Sequence, residues 1–149
     1  MLSRTHIAIG IFFAFLLLPS ISHPLAFSVT LLISSLLPDI DSPISFLGKY
    51  KFFSVLQTFL HHRGVLHSLT TAVILSLVVS IIFPTLALGF FLGYAVHLIA
   101  DSFTIEGIAP FWPLRGRLSW KLKTGGYTEN VMLVIFIMFD ILLIIRFFS

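Results

Sequence analysis

The chain is organised around the sequence HHRGVLHS, residues 61–68, which stands directly before a long apolar run. Three of the protein's six histidines and one arginine fall within this stretch. Neutral imidazole is the commonest metal ligand in proteins, and membrane insertion does not favour such a density of histidine. The stretch is therefore the first candidate for chemistry, and we expect carboxylates and further histidines from elsewhere in the chain to reach the same place.

The composition identifies an integral membrane protein. Of the 149 residues, 58% are hydrophobic and 10% are charged, and the mean hydropathy is +1.08. A soluble domain of this composition would lack the polar surface needed to cover its apolar bulk. The length and the absence of any linker or repeat predict one membrane-embedded domain over residues 1–149.

The charged and sulfur-containing residues exclude several function classes. The sequence contains no cysteine, so thiolate metal sites, thiol nucleophiles and disulfides are excluded and any metal must be held by nitrogen and oxygen. The net charge of +3 is spread over loops and forms no basic patch on a soluble face. Nucleic-acid binding is therefore not expected.

Outward from the histidine-rich stretch, the hydrophobic pattern predicts an all-α membrane bundle of about five transmembrane helices. The first apolar run, Ile7 to Leu18, lacks a small-residue cleavage site and is followed by further spans, so it is interpreted as a retained helix and not a signal peptide. The predicted spans are about Met1–Ile21, Pro24–Leu37, Val65–Phe83, Leu86–Phe103 and Val131–Phe148.

Two further segments complete the predicted architecture. Apolar residues recur at helical spacing between Tyr50 and Leu60, as in a short helix that lies along the membrane interface. The polar stretch from Thr104 to Asn130 is a basic cytoplasmic loop, in which cations alternate with apolar residues over 117–123. That period of two predicts an extended segment with its apolar side on the bilayer. The loop is interpreted as an interfacial anchor, with a substrate clamp as the alternative.

The distribution of lysine and arginine predicts the topology. Basic residues precede the first span and lie between spans two and three and between spans four and five, whereas the other two loops carry none. This pattern places the N-terminus in the cytoplasm and the C-terminus outside, with Arg146 as the only basic residue on the far side.

This topology brings most of the histidines and carboxylates to the cytoplasmic end of the bundle. His97 and Asp101 are spaced i, i+4, so they stand on one face of span four about a turn apart. Asp39 and Asp101 each stand at a helix C-terminus, where the helix dipole disfavours negative charge. Acids placed there near lipid imply a compensating cation, which could be Arg63, a lysine or a metal ion.

Ordinary structural roles are the alternative for each of these residues taken alone. Asp39 and Asp41 could form a water-exposed turn in which the second aspartate caps the next helix. His97 and Asp101 could be a hydrogen-bonded pair that holds two helices together. Asp140, inside span five, is expected to make a structural contact away from the cluster. The coincidence of the other groups at one end favours a shared site.

Five motifs follow one another over nearly the whole chain: TH at 5–6, LPDIDSP at 37–43, HRGVLHSL at 62–69, GYAVHLIADSFT at 93–104 and PFWP at 110–113. Together they resemble the YdjM-like family of predicted membrane-bound metal-dependent hydrolases. The resemblance implies a small multi-span protein of the inner membrane with a metal site that faces the cytoplasm. Carried over by position, it implies the metal ligands His6, Asp39, Asp41, His62, His67, His97 and Asp101.

Two more residues are candidates for catalysis. Glu129 matches an acid that the family tends to place before its last helix, and we predict that it acts as a general acid or base. Arg63 is predicted to hold an anionic group of the substrate by paired hydrogen bonds. Leu66 departs from the family, which often has threonine there, so a hydroxyl near the site is lost while the ligands are kept.

The ligand set predicts the cofactor and the reaction. Four histidines and three aspartates exceed the three protein ligands of one catalytic zinc site, so we predict two divalent ions that share an aspartate. Mixed imidazole and carboxylate ligands favour Zn, Mn or Fe over Ca or Mg. The predicted reaction is hydrolysis by metal-activated water. A site at this depth suggests membrane lipid as partner and an amphiphilic or anionic lipid-like substrate, with a phosphoester favoured and an amide or carboxylic ester still open.

Two other functions remain open. A metal-ion or proton-coupled transporter would need a polar path through the middle of the membrane, whereas the outer half of the bundle offers only His23 and Asp140. A non-catalytic metal-binding sensor or scaffold for another membrane protein would need neither such a path nor a groove for substrate.

Overall fold

The computed structural model describes residues 1–59, 63–114 and 116–149. Within these ranges the chain forms six α-helices and four 3₁₀ turns. The helices are α1 (Ser3–Leu17), α2 (Pro24–Ser34), α3 (Ser54–Phe59), α4 (Leu69–Ile82), α5 (Pro84–Ser102) and α6 (Tyr127–Phe148). The prediction of an all-α membrane bundle is confirmed.

Four segments of the described chain are long and apolar enough to cross a membrane. They are Ser3–Ser20, Pro24–Asp41, Pro84–Ser102 and Tyr127–Phe148, and they correspond to the predicted first, second, fourth and fifth spans. The second includes a 3₁₀ turn, Leu37–Asp41, that follows α2 and contains Pro38.

The predicted third span is shorter than expected. α4 begins at Leu69 and not at Val65, because a 3₁₀ turn precedes it and the Ser68 hydroxyl accepts a hydrogen bond from the Thr71 N–H at 3.1 Å. Such a bond is typical of an N-cap serine. The 14 residues of α4 extend about 21 Å. His67 consequently lies in the turn before the helix and not on its side.

α5 packs against both α2 and α4 and provides much of the buried interior. Its approach to α2 depends on glycine. A Cβ atom at Gly93 would lie 2.1 Å from the carbonyl oxygen of Leu31, and one at Gly89 would lie 2.7 Å from that of Phe27. The absence of side chains at these two positions therefore brings the end of α2 against α5.

α1 and α6 begin at the same end of the bundle and run in the same direction. At their starts the Thr5 hydroxyl donates a hydrogen bond to Glu129 at 2.7 Å. Further along, the rings of Phe12 and Phe136 make an edge contact with centroids 5.5 Å apart. Most apolar side chains of α6 are exposed, as expected for a helix that faces lipid.

The segment between α5 and α6 folds back on itself. Ile108 and Leu118 exchange two backbone hydrogen bonds of 2.9 Å, and Thr104 forms an isolated bridge with Leu122. The extended segment predicted over 117–123 is therefore present. Two of its apolar side chains are exposed, with Leu118 at 55% and Trp120 at 68%, which agrees with contact to lipid.

The predicted interfacial helix is present in two pieces. A 3₁₀ turn, Lys51–Phe53, leads into α3, while Leu60, the last residue of the prediction, lies outside the described residues. The Gln57 amide donates hydrogen bonds to the carbonyl oxygens of Ile40 at 2.8 Å and Gly48 at 2.7 Å. These bonds fix α3 to the turn that carries the aspartates.

Candidate metal centre

Four buried side chains converge where α2 ends and α4 begins. Asp39 lies in the 3₁₀ turn after α2, His67 in the turn before α4, and His97 and Asp101 in the last two turns of α5. Each offers one nitrogen or oxygen atom, and these atoms all lie within 4.8 Å of one another. We refer to these residues as the four-donor cluster.

Five of the six donor–donor distances in the four-donor cluster lie at or slightly above the separation that a tetrahedral ion imposes. His67 Nε2 lies 3.3 Å from His97 Nε2, 3.6 Å from Asp39 Oδ1 and 3.5 Å from Asp101 Oδ2. His97 Nε2 lies 3.8 Å and 3.7 Å from the same two oxygens. An ion with donors at about 2.0–2.1 Å in tetrahedral arrangement separates them from each other by about 3.3–3.4 Å. The cluster could therefore hold a metal ion with small adjustments of its side chains.

Both histidines of the cluster are oriented by contacts on their outer nitrogens. His97 Nδ1 lies 2.7 Å from the carbonyl oxygen of Ser35, and His67 Nδ1 lies 3.4 Å from Asp41 Oδ2. A metal-binding histidine characteristically donates its other N–H to a carbonyl or a carboxylate, which directs the free nitrogen to the metal. Asp41, a predicted ligand, thus contacts His67 on the side away from the other three donors.

The acids around His67 affect its protonation. Burial by itself lowers the pKa of the His67 imidazole, but the contacts with Asp39 and Asp41 outweigh burial and raise this pKa above its ordinary value. A divalent ion bound at Nε2 requires the neutral imidazole, so metal binding at the cluster competes with protonation of His67.

Arg63 and the N-terminal amino group partly compensate the charge of Asp101. Arg63 Nη2 lies 3.1 Å from Asp101 Oδ2, and the amino group of Met1 contacts Asp101 Oδ1. The guanidinium also donates through Nη1 to the Thr104 hydroxyl at 2.7 Å and the Gly107 carbonyl at 3.3 Å. The compensating cation that the sequence required thus includes Arg63.

His6 adjoins the four-donor cluster on its α1 side. Its ring stacks on that of His97, with centroids 3.8 Å apart and planes 14° apart, and its Nε2 lies 3.4 Å from Asp101 Oδ1. The side chain is fully buried, and neither ring nitrogen has a hydrogen-bond partner among the described residues. Asp101 thus directs Oδ2 to the cluster and Oδ1 to His6.

The remaining two predicted site residues are His62 and Glu129. His62 lies outside the described residues. Glu129 is buried and accepts hydrogen bonds from the Leu2 N–H at 2.7 Å, the Thr5 hydroxyl at 2.7 Å and the Gly125 N–H at 2.6 Å. Its carboxylate thus contacts the N-terminal segment, and its predicted role as general acid or base stays a prediction.

Sequence reasoning did not single out Thr104 and Glu106, both of which contact Arg63. Glu106 Oε2 lies 3.4 Å from Arg63 Nη2. The available signal was modest: Thr104 ends the motif that contains His97 and Asp101, and Glu106 is an acid in an otherwise basic loop.

The comparisons with known proteins agree with the fold and the motifs. The family described as YdjM inner membrane protein matches residues 1–147. The uncharacterized protein YvsG of Bacillus subtilis (strain 168) is 34% identical over 107 residues, which cover 68% of this chain and 67% of YvsG. The inner membrane protein YdjM of Escherichia coli (strain K12) is 38% identical over 96 residues, which cover 58% of this chain but only 48% of YdjM. No solved structure matches the chain significantly. With a family match over almost its full length, the chain belongs to the YdjM inner membrane protein family.

Proposed function

We propose that this protein is a metal-dependent hydrolase of the inner membrane that cleaves a phosphoester of a lipid or another amphiphile from the cytoplasmic side. The observation that carries the proposal is the four-donor cluster, in which buried imidazoles and carboxylates from three separate parts of the chain meet at 3.3–3.8 Å. A divalent ion in such a site polarises a phosphoryl oxygen and activates water for attack.

The donor chemistry favours a transition metal or zinc. Two imidazole nitrogens and two carboxylate oxygens suit Zn, Mn or Fe better than Ca or Mg, which prefer oxygen ligands. His6 and the outer oxygen of Asp101, 3.4 Å apart, are the donors from which a second ion would be held. The proposal therefore includes one ion at the cluster and a second beside it.

The surroundings of the cluster favour an anionic, amphiphilic substrate. A cavity of about 130 Å³ is lined by Asp39 of the cluster and by Arg63, so an anionic group in it would approach both a metal ligand and a guanidinium. Exposed apolar residues such as Trp120 lie on the neighbouring loop. A substrate with an apolar tail in the bilayer and an anionic headgroup at this depth would contact both surfaces.

Metal analysis of the purified protein tests the proposal first. We expect bound Zn, Mn or Fe in the wild type and loss of that metal in Asp39→Ala, His67→Ala and His97→Ala. His23→Ala is the matched control, because His23 is an exposed histidine outside the cluster. Unchanged metal content in all three cluster variants would refute the shared site.

A turnover assay then separates an enzyme from a metal-binding scaffold. Phospholipids and isoprenoid phosphates are offered to the wild type and to the variants that lose metal. We expect hydrolysis of at least one phosphoester by the wild type and none by the metal-free variants. Metal binding without turnover of any member of the panel would overturn the hydrolase and favour the scaffold.

A further inference from the structure

Arg63 lies between Asp101 of the four-donor cluster and a cavity that Asp39 of the same cluster also lines. Its Nη2 atom lies 3.1 Å from Asp101 Oδ2 on one side and 3.4 Å from Glu106 Oε2 on the other. Arg63, Glu106, Thr124 and Asp39 all line the cavity of about 130 Å³, roughly ten times the 10–15 Å³ that one water needs. The cavity therefore has room for a polyatomic anion beside one of the metal donors.

The guanidinium of Arg63 has an N–H group that donates no hydrogen bond to the described part of the chain. The residue is 93% buried, since only 7% of its surface is exposed, and its Nε has no hydrogen-bond partner among the described residues. The Nε–H and one Nη2–H lie on the same edge of the planar group, the edge that receives an oxyanion through two parallel hydrogen bonds. A buried cationic donor is costly to leave unsatisfied, so this edge suits an anionic ligand.

The backbone of Arg63 is also unusual. Its φ angle is +60°, a left-handed conformation that residues other than glycine rarely adopt. The Arg63 N–H donates to Asp41 Oδ2 at 3.1 Å, which holds the residue in this conformation. Backbone strain of this kind persists where the surrounding structure enforces it and is concentrated at ligand sites.

Glu106 contacts the guanidinium only loosely. The Nη2–Oε2 distance of 3.4 Å exceeds the about 2.7–2.9 Å of a charge-assisted hydrogen bond, and the Glu106 side chain is 55% exposed. The Thr124 hydroxyl donates to the same oxygen at 2.9 Å. Arg63 and Thr124 together therefore hold the carboxylate at the cavity, and its release to solvent costs these two contacts.

The base of the Glu106 side chain is fixed by the neighbouring turn. Gly107 has a φ angle of +59°, and a Cβ atom there would lie 2.3 Å from the carbonyl oxygen of Leu118. Its N–H donates to the Thr104 hydroxyl at 3.1 Å, and its carbonyl accepts from Arg63. The backbone that carries Glu106 thus stays beside Arg63 even when the carboxylate moves away.

We propose that Arg63 and this cavity form a binding site for a phosphate group, and that Glu106 is a tethered competitor which the phosphate displaces. The incoming phosphate accepts hydrogen bonds from Nε–H and Nη2–H, while Glu106 turns outward to solvent. Because Asp39 lines the same cavity, the bound phosphate lies next to the metal donors. A neutral headgroup gains no ion pair when it displaces Glu106, so this residue selects for anionic substrates. The inference rests on the proposed function only in taking the substrate to carry a phosphate.

Calorimetric titration of inorganic phosphate into the protein as purified, held in phosphatidylcholine nanodiscs, tests the site without requiring turnover or a bound metal. Glu106→Gln removes the competing charge and keeps the shape of the side chain. We expect phosphate to bind this variant roughly tenfold more tightly than wild type, equivalent to about 1.4 kcal/mol. Thr124→Val, which removes only the hydroxyl that holds Glu106, should give a smaller gain of about threefold.

Two control variants separate a local effect from a general one. Asp140→Asn makes the same change of net charge as Glu106→Gln, but in α6, about 16 Å along the helix from Glu129. It should leave phosphate affinity unchanged. Arg63→Lys keeps the positive charge without the planar edge, so it should weaken phosphate binding about tenfold or more. A thermal unfolding scan of Arg63→Lys shows whether that variant is folded, and the Thr124→Val titration stands independently of it.

Several results would overturn the proposal. Equal phosphate affinity in wild type and Glu106→Gln would remove Glu106 as a competitor, and so would an equal gain in Asp140→Asn. Absence of phosphate binding in every variant would remove the site itself. Short-chain phosphatidic acid is the second titrant, and a gain for this lipid alone would assign the effect to the acyl chains and overturn recognition of the phosphate.

The outcome is also separable from that of the proposed function. Tighter phosphate binding by Glu106→Gln in a protein that hydrolyses no phosphoester would retain the anion site and remove the hydrolase. Hydrolysis that depends on the four-donor cluster, with no effect of Glu106→Gln on phosphate affinity, would retain the hydrolase and remove Glu106 as a competitor.

Discussion

Glu129 joins the N-terminal segment to the start of the last helix. Its two oxygens accept three hydrogen bonds of 2.6–2.7 Å from Leu2, Thr5 and Gly125, and the residue is 1% exposed. Since His6 follows Thr5 directly, this carboxylate positions the part of α1 that adjoins the four-donor cluster. Hydrogen bonds to a charged group contribute about 1.5–3 kcal/mol each to stability when they are removed singly.

We predict that Glu129→Gln destabilises the protein by about 1–3 kcal/mol and leaves the metal of the four-donor cluster bound. A glutamine can still accept from Leu2 and Thr5, but its amide N–H₂ would face the Gly125 N–H, so one hydrogen bond is replaced by a contact between two donors. Thermal unfolding in detergent and metal analysis of the same sample measure the two effects.

The opposite pattern would favour the catalytic role that the sequence predicts for Glu129. If Glu129→Gln unfolds at the wild-type temperature, retains metal and loses turnover, the residue acts in proton transfer and not in holding α1. Thr5→Val is the matched control, because it removes one donor to Glu129 and leaves the carboxylate in place.

At the scale of single residues, the sequence predicts a shared site for those metal donors that helical spacing or a motif connects. His97 and Asp101 were paired by their spacing along one helix, and Asp39 and His67 by the motifs that contain them. The contact that Asp41 makes is harder to predict from the sequence. The path of a 3₁₀ turn decides whether its carboxylate lies near a metal or near the outer nitrogen of His67. The backbone carbonyl of Ser35, which orients His97, could not be predicted from the sequence, because every residue has a backbone carbonyl.

At the scale of the elements, the packing of α5 on α2 positions the cluster. Asp39 follows α2 and His97 lies on α5, so the distance between these helices sets the distance between two of the donors. Gly93 permits that approach, since the atoms nearest to a Cβ there, Leu31 O and Ser34 Oγ, would both lie at 2.1 Å. No rotation of a side chain can relieve the contact with the Leu31 backbone.

Gly93→Ala is therefore predicted to destabilise the protein by about 1–3 kcal/mol, the usual cost of overpacking, and to weaken metal binding by moving α2 away from α5. Thermal unfolding and metal content are the measurements. Gly116→Ala is the control, because a Cβ at Gly116 would meet no atom of the described residues within 4 Å. Wild-type metal content in Gly93→Ala would show that the cluster tolerates a wider separation of the two helices.

The first residue of a helix is predictable from the sequence where a proline marks it, and less predictable where an apolar turn precedes the helix. Pro24 begins α2 as expected and Pro84 begins α5, two residues before the predicted Leu86. The predicted start of α4 at Val65 is four residues too early, because Val65 and Leu66 are as apolar as the helix that follows and the N-cap Ser68 lies inside the predicted span. Hydropathy does not distinguish a 3₁₀ turn from the first turn of a helix.

At the scale of the whole molecule, the topology stays a prediction, and it depends on whether α4 crosses the membrane. α4 extends about 21 Å, less than the roughly 30 Å of a bilayer core. If all five apolar helices cross, the two termini lie on opposite sides of the membrane. The excess of lysine and arginine in alternate loops predicts the same arrangement, with the N-terminus in the cytoplasm.

Cysteine labelling tests this arrangement directly, because the chain contains no cysteine of its own. We predict that a membrane-impermeant thiol reagent labels Ser22→Cys and Ser149→Cys in intact cells and labels Ser119→Cys only after permeabilisation. All three positions are exposed. Labelling of both Ser22→Cys and Ser119→Cys in intact cells, with Ser149→Cys protected, would show that α4 does not cross the membrane.

Because α1 packs in parallel against α6, the contacts that fix the start of α1 can form only after the start of α6 has been synthesised. Leu2 and Thr5 are translated 127 and 124 residues before Glu129, which anchors them. His6 therefore enters the membrane before the residue that fixes its place exists. The side of the centre next to α1 closes only after every residue of the four-donor cluster has been synthesised.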